Sequence, residues 1–170
     1  MHSDPFDADI SSLCKNQETQ KLAKDYFKLI RSLRPGEGIS NLPPGVVSIC
    51  AFIAHVRMGH KRPASVKPFQ KVSLTTPKAF LDSLSSIQDM LMKAEETVKS
   101  VKFKDARALS CNYNFQPLPL SDSPCQNCLK KQHHCLKASW KSKKGPRCVA
   151  CNLRQLTCSV EDKSTAGTFD

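Results

Sequence analysis

Pro43-Pro44-Gly45-Val46-Val47-Ser48-Ile49-Cys50-Ala51-Phe52-Ile53-Ala54-His55-Val56 is the stretch on which the fold turns. Two prolines open it, and Gly59 closes it. Between them Val46, Val47, Ile49, Cys50, Phe52, Ile53 and Val56 leave almost no polar face. A helix apolar nearly all round belongs inside other helices. At this length it is far too short to span a bilayer. The stretch therefore predicts a buried central helix, with Cys50 as a core residue rather than a reactive thiol.

The flanking sequence supplies the covering helices. From Gln17 to Leu33, apolar residues fall at Leu22, Tyr26, Leu29, Ile30 and Leu33, on one helical face. Asn16 is the N-cap of that helix, and Pro35-Gly36 stops it. Residues 60–64 form a basic turn, and Val66, Phe69 and Val72 mark a short helix. Thr76-Pro77 reads as an N-cap followed by an N1 proline. Phe80, Leu81, Leu84, Ile87 and Leu91 then keep helical spacing towards Val98. No β alternation competes. The fold class is mainly α, with four or five helices over residues 10–102 packed around the central one.

The chain has 170 residues, a length for one or two domains. Its opening, Met1-His2-Ser3-Asp4-Pro5-Phe6-Asp7, is acidic and polar, so no signal peptide is expected. A secreted disulfide scaffold and a membrane protein are both disfavoured. In a reducing compartment clustered cysteines are more often metal ligands than bridges, whereas Cys14 and Cys50 are singletons too far from the cluster to complete its spacing. No nucleophile motif, glycine-rich phosphate loop or paired acids in a plausible cleft points to an enzyme. His55 and His60 have no cysteine or carboxylate at ligand spacing and read as surface histidines.

Charge is unevenly spread. The net charge is +11, and residues 125–158 hold eight Lys/Arg and no Asp/Glu. That density points to a polyanion partner. The same segment holds six of the nine cysteines. Ahead of it, residues 103–123 read as a linker, with Pro117 and Pro119 beside a turn-like Ser121-Asp122-Ser123. Phe115, Leu118 and Leu120 give this segment the character of an extended strap. Cys111 lies here alone, and residues 161–170 form an acidic tail.

Asp25-Tyr26-Phe27-Lys28-Leu29, Leu42-Pro43, Ser48-Ile49-Cys50-Ala51-Phe52-Ile53-Ala54, Gln70-Lys71-Val72-Ser73-Leu74 and Pro77-Lys78-Ala79-Phe80 follow one another in order over residues 10–95. They resemble the first cyclin-like box of the sixth subunit of the origin recognition complex. The resemblance implies a cyclin-like five-helix bundle that touches DNA or other origin recognition complex subunits during replication initiation. Members also carry a second cyclin box and a C-terminal docking helix, for which this chain has no room.

The cysteines of the basic segment are Cys125, Cys128, Cys135, Cys148, Cys151 and Cys158. The unit C-x2-C-x6-C occurs twice, 23 residues apart. A C-x2-C pair can place two thiolates on one zinc, and tetrahedral thiolate sites suit that ion. Six thiolates fill two four-ligand sites only if two of them bridge. A zinc knuckle using His133 would need a cysteine where Ala138 stands. Separate Cys3His sites could use His133 or His134 in the first half, but the second half has no histidine. A disulfide framework would require an oxidising compartment.

With Pro146 two residues before the fourth cysteine, residues 124–160 resemble the fungal Zn2Cys6 binuclear cluster, a DNA-binding domain. By the family pattern Cys125 and Cys148 bridge two zinc ions. Cys128 and Cys135 complete one, Cys151 and Cys158 the other. The resemblance also implies that the helix after Cys128 contacts DNA, through Lys130, Lys131 and Gln132 here. Leu129, Gln132 and His134 stand where the family carries basic residues. The loop between the halves adds Lys137, Trp140, Lys141, Lys143, Lys144 and Arg147, and the second half adds Arg154. Trp140 either stacks on nucleic acid or packs on the protein. No heptad follows Cys158.

The expectation is thus a nuclear, non-enzymatic, monomeric protein that binds double-stranded DNA through a two-zinc cluster. An origin-recognition role, a zinc-cluster transcription regulator and an adaptor with purely structural zinc all fit this description. Because so small a module draws its folding energy from metal, chelation is expected to unfold residues 124–160 and leave the helices intact.

Overall fold

A computed structural model of the chain describes residues 6–34, 41–58, 65–100, 118–136, 141–142, 145–156 and 158. It is mainly helical. The amino-terminal part comprises α1 (Asp7–Leu13), α2 (Gln17–Ser32), α3 (Val46–Arg57), α4 (Val66–Val72) and α5 (Pro77–Ser100). The cysteine-rich part comprises α6 (Gln126–Lys131), β1 (Lys141–Ser142), β2 (Gly145–Pro146) and α7 (Val149–Arg154). The two strands form a minimal antiparallel ladder, with Lys141 opposite Pro146 and Ser142 opposite Gly145.

The helix ends follow local chemistry. Asn16 caps α2 by accepting the Glu18 N–H at 2.8 Å. Thr76 does the same for α5, its hydroxyl accepting the Ala79 N–H at 3.2 Å. Gly45 starts α3 at φ +73°, and a Cβ there would lie 2.7 Å from the Cβ of Ser73. This glycine lets the α3 entry approach the turn after α4.

Every residue from Val46 to Ala54 is buried. The helix α3 packs against α1, α2, α4 and α5, so the hydrophobic stretch lies at the centre of the bundle. Phe52 meets Phe69 of α4 edge-on at 5.4 Å between ring centroids. The first helix, α1, has no counterpart among the periodic segments of the sequence. It is tied down by buried Ile10, by Phe6 against Phe27, and by Lys24–Asp7 at 2.9 Å. His55 is half-buried, its ring edge-on to Phe69 at 5.9 Å, and is not the surface residue expected. His60, Cys111 and the tail lie outside the described residues, as does segment 103–117.

Residues 118–123 of the expected linker are held at a few points, while Pro119, Leu120, Asp122 and Ser123 stay exposed. Leu118 is buried, and its N–H donates to Gln88 Oε1 of α5 at 2.9 Å. Leu120 forms a β-bridge with Leu136, and the Ser121 N–H donates to the Cys135 carbonyl at 2.7 Å. The described part of the strap is bonded to α5 at Leu118 and runs on into Cys125 of the cysteine cluster.

Candidate metal centre

The repeat in sequence becomes a repeat in space. Cys125 and Cys148 are each the N-cap of a six-residue helix, with ψ 154° and 164°. Cys128 and Cys151 follow one turn in. Each helix then ends at a left-handed glutamine, Gln132 at φ +53° and Gln155 at φ +57°. Both ends are Schellman motifs. His133 N–H reaches the Cys128 carbonyl at 3.1 Å, and Leu156 N–H reaches the Cys151 carbonyl at 2.9 Å. The reversal brings Cys135 and Cys158 back to the helix starts, where their sulfurs accept the Cys125 and Cys148 N–H groups, each at 3.5 Å.

Two four-cysteine sets result. One is Cys125, Cys128, Cys135 and Cys148; the other is Cys125, Cys148, Cys151 and Cys158. Within each set all sulfurs lie within 4.8 Å of one another, and the sets share Cys125 and Cys148. Individual spacings are 3.8 Å for Cys125–Cys148 and 3.6 Å for both Cys125–Cys151 and Cys128–Cys148. Tetrahedral sulfurs about 2.3 Å from a zinc ion would sit roughly 3.8 Å apart. The clustered cysteines could therefore hold a metal ion. All eight described cysteines are free, and Cys14 and Cys50 lie apart from the cluster in the helical core.

Burial also sets the protonation of the cluster. Burial raises the Cys125 thiol, but hydrogen bonds from Cys128, Cys151 and Cys148 outweigh it and lower the thiol to about 7. Cys148 is pushed far up by its hydrogen bond with Cys128 and by burial. Burial raises Cys151 as well, and Cys135 to about 12. Cys135, Cys148 and Cys151 are thus held in the thiol form. A bound cation is what would let them all ionise.

Neither His133 nor His134 belongs to either set. His134 Nε2 lies 2.8 Å from Asp89 Oδ1, and His133 Nδ1 lies 3.6 Å from Asp82 Oδ1, both on α5. The other ring nitrogen of His133 lies 3.0 Å from the Arg154 guanidinium. A guanidinium only donates, so His133 Nε2 accepts and the ring is neutral with its proton on Nδ1. Burial and the Arg154 charge accordingly hold the His133 pKa below its usual range.

The residues expected to face DNA divide into groups. Lys130, Lys131 and Gln132 are exposed on and after α6, next to Leu129, which is 54% exposed. Arg147 is half-buried, and Lys141 lies in β1. Arg154 is half-buried against His133. Lys137, Trp140, Lys143 and Lys144 lie outside the described residues. Sequence reasoning missed the α5 residues Asp82, Gln88 and Asp89. The available signal was a pair of acids seven apart, on one helical face, within a chain that also carries adjacent histidines. No protein-family model, curated protein or solved structure matches the chain.

Proposed function

We propose that the chain is a DNA-binding protein whose cysteine cluster holds two zinc ions. Cys125 and Cys148 bridge the ions, Cys128 and Cys135 complete one, and Cys151 and Cys158 complete the other. The observation that carries this reading is the pair of four-cysteine sets with Cys125 and Cys148 in common. The donor set is all sulfur, which favours zinc over harder divalent ions. Bridging also resolves the count, since six ligands then serve eight coordination places.

The DNA contact is assigned to α6. Its exposed Lys130 and Lys131, with Gln132 at its end, sit in a segment that has no acidic residue. Lysines there neutralise phosphates, and Gln132 can pair with adenine in a groove. Together with the resemblance of residues 10–95 to an origin recognition subunit, this gives a nuclear role in replication initiation, as a non-enzymatic monomer on double-stranded DNA. Purified under reducing conditions, the chain should carry two zinc ions and bind duplex DNA with an affinity that falls steeply with salt. One zinc per chain, or salt-independent binding, would refute the respective half of the proposal. A second reading, an adaptor with structural zinc, is favoured by one observation. Arg154 spends its charge inside the protein, on His133.

A further inference from the structure

We infer that the cysteine centre and the helical bundle form one cooperative unit, in which metal at the centre stabilises α4 and α5 and fixes the angle of α6. The inference rests on the metal reading above. Its basis is the way the two parts are joined.

Four attachments converge on one side of the bundle. His134 bonds Asp89 at 2.8 Å, and the neutral His133 ring lies against Asp82 at 3.6 Å, a looser contact. Those aspartates are two turns apart along α5, roughly 10 Å. Between them the wholly buried Gln88 accepts the N–H of Leu118, which begins the strap. Finally α7 packs on α4 and α5, and its Val149, Ala150 and Leu153 are buried. These residues belong to the same contiguous apolar core as α3. A module anchored at points this far apart along one helix cannot pivot on it.

The direction of coupling follows from size. The cysteine-rich segment is too short to hold its shape by its own core, so metal must supply its folding energy. The histidines immediately precede Cys135, and α7 lies between Cys148 and Cys158. Every attachment is thus built on backbone that the cysteines organise. Losing metal would loosen His133, His134 and α7 together. The faces of α4 and α5 would then meet water, and Gln88 would lose its partner. By linkage, whatever binds the joined state more tightly than the separated one stabilises both parts. This differs from the independence that proline density in residues 103–123 implies.

The test uses the full chain under reducing conditions. Cobalt(II) substitution first reports centre formation through the thiolate-to-metal absorption band. Hydrogen exchange is then followed in the zinc-loaded and chelator-stripped chain. Stripping should speed exchange in α4 and in residues 80–91 of α5 by at least about tenfold, with a smaller change in α2. The double variant Asp82→Ala, Asp89→Ala leaves all six cysteines in place. It should keep its full zinc content and show at least a roughly threefold smaller difference between loaded and stripped states. A normal cobalt band with α4 and α5 exchange unchanged on stripping would overturn the coupling and leave the metal reading standing. Absence of the band would overturn both.

Discussion

Residues 125–135 and 148–158 are the same device in two settings. Each runs from an N-capping cysteine through six helical residues and a left-handed glutamine to a returning cysteine. Their surroundings differ. In α6 only Cys128 is buried, whereas in α7 Val149, Ala150, Cys151 and Leu153 are buried. The matched positions explain this. Gln126, Asn127 and Lys130 stand where the second half has Val149, Ala150 and Leu153. Cysteines and glutamines set the local shape, and three apolar side chains decide which copy docks. The docked copy orients the centre, and the other copy keeps Lys130 and Lys131 exposed.

The largest expected effect breaks the comparison at its shared sulfurs. Cys148→Ala should empty both metal sites, as should Cys125→Ala, because each belongs to both four-cysteine sets. Cys158→Ala should remove mainly one ion. Zinc stoichiometry by mass spectrometry under native conditions distinguishes these outcomes. Structural zinc contributes on the order of 10 kcal/mol to small modules, so the bridging variants should also lose ordered structure around α6 and α7. Equal loss in all three variants would mean that the sulfurs act as one undivided cluster.

Next comes the asymmetry between the helices. Leu153→Lys places a charge where the side chain is 5% exposed, against α4 and α5. It should destabilise the chain by about 3 kcal/mol. The matched change Lys130→Leu lies on the exposed helix and should alter stability by less than about 0.5 kcal/mol. Thermal or denaturant unfolding of the metal-loaded chain measures both. Similar losses would show that α6 is also packed in solution.

A third comparison concerns charge. Lys130→Ala with Lys131→Ala should weaken binding to all duplexes and flatten the log–log salt dependence by roughly 0.9 per lost phosphate contact. Arg154→Ala, which removes the partner of His133, should leave that slope nearly unchanged. If Arg154→Ala flattened the slope as much as the lysine pair, the DNA face would include α7.

Much of this was legible in the residues. Helices α2 to α5 follow from apolar spacing and from the Asn16 and Thr76 caps, because both signals are local. The helix α1 has seven residues, under two turns, too few to show a period. Proline density reads residues 103–123 as a linker, and the described residues 118–123 form no helix. It says nothing about whether an extended strap packs, and Leu118 does. The docking histidines were hidden for another reason. His134 and Asp89 are 45 residues apart, and no local pattern announces such a pair. At the cysteine cluster the spacing carried most of the information, since turn geometry converts C-x2-C-x6-C into a fixed set of sulfurs.

The smallest expected effect sharpens the likeness of the two halves. Gln132 and Gln155 both hold φ near +55°, where a residue with a Cβ is strained. Glycine would relieve that strain but would also loosen the unfolded chain. Gln132→Gly and Gln155→Gly should therefore each change stability by only about 0.5 kcal/mol, in the stabilising direction. Paired melts of the two metal-loaded variants test this equality. DNA binding should separate them. Gln132 follows the exposed helix, where under the DNA-binding proposal its amide would meet a base, whereas Gln155 follows the docked one. Gln132→Gly should reduce preference among duplex sequences while leaving the salt slope intact, and Gln155→Gly should change neither. If both variants bind every duplex as the parent does, Gln132 is a helix terminator only, and the sequence preference must come from elsewhere in the chain.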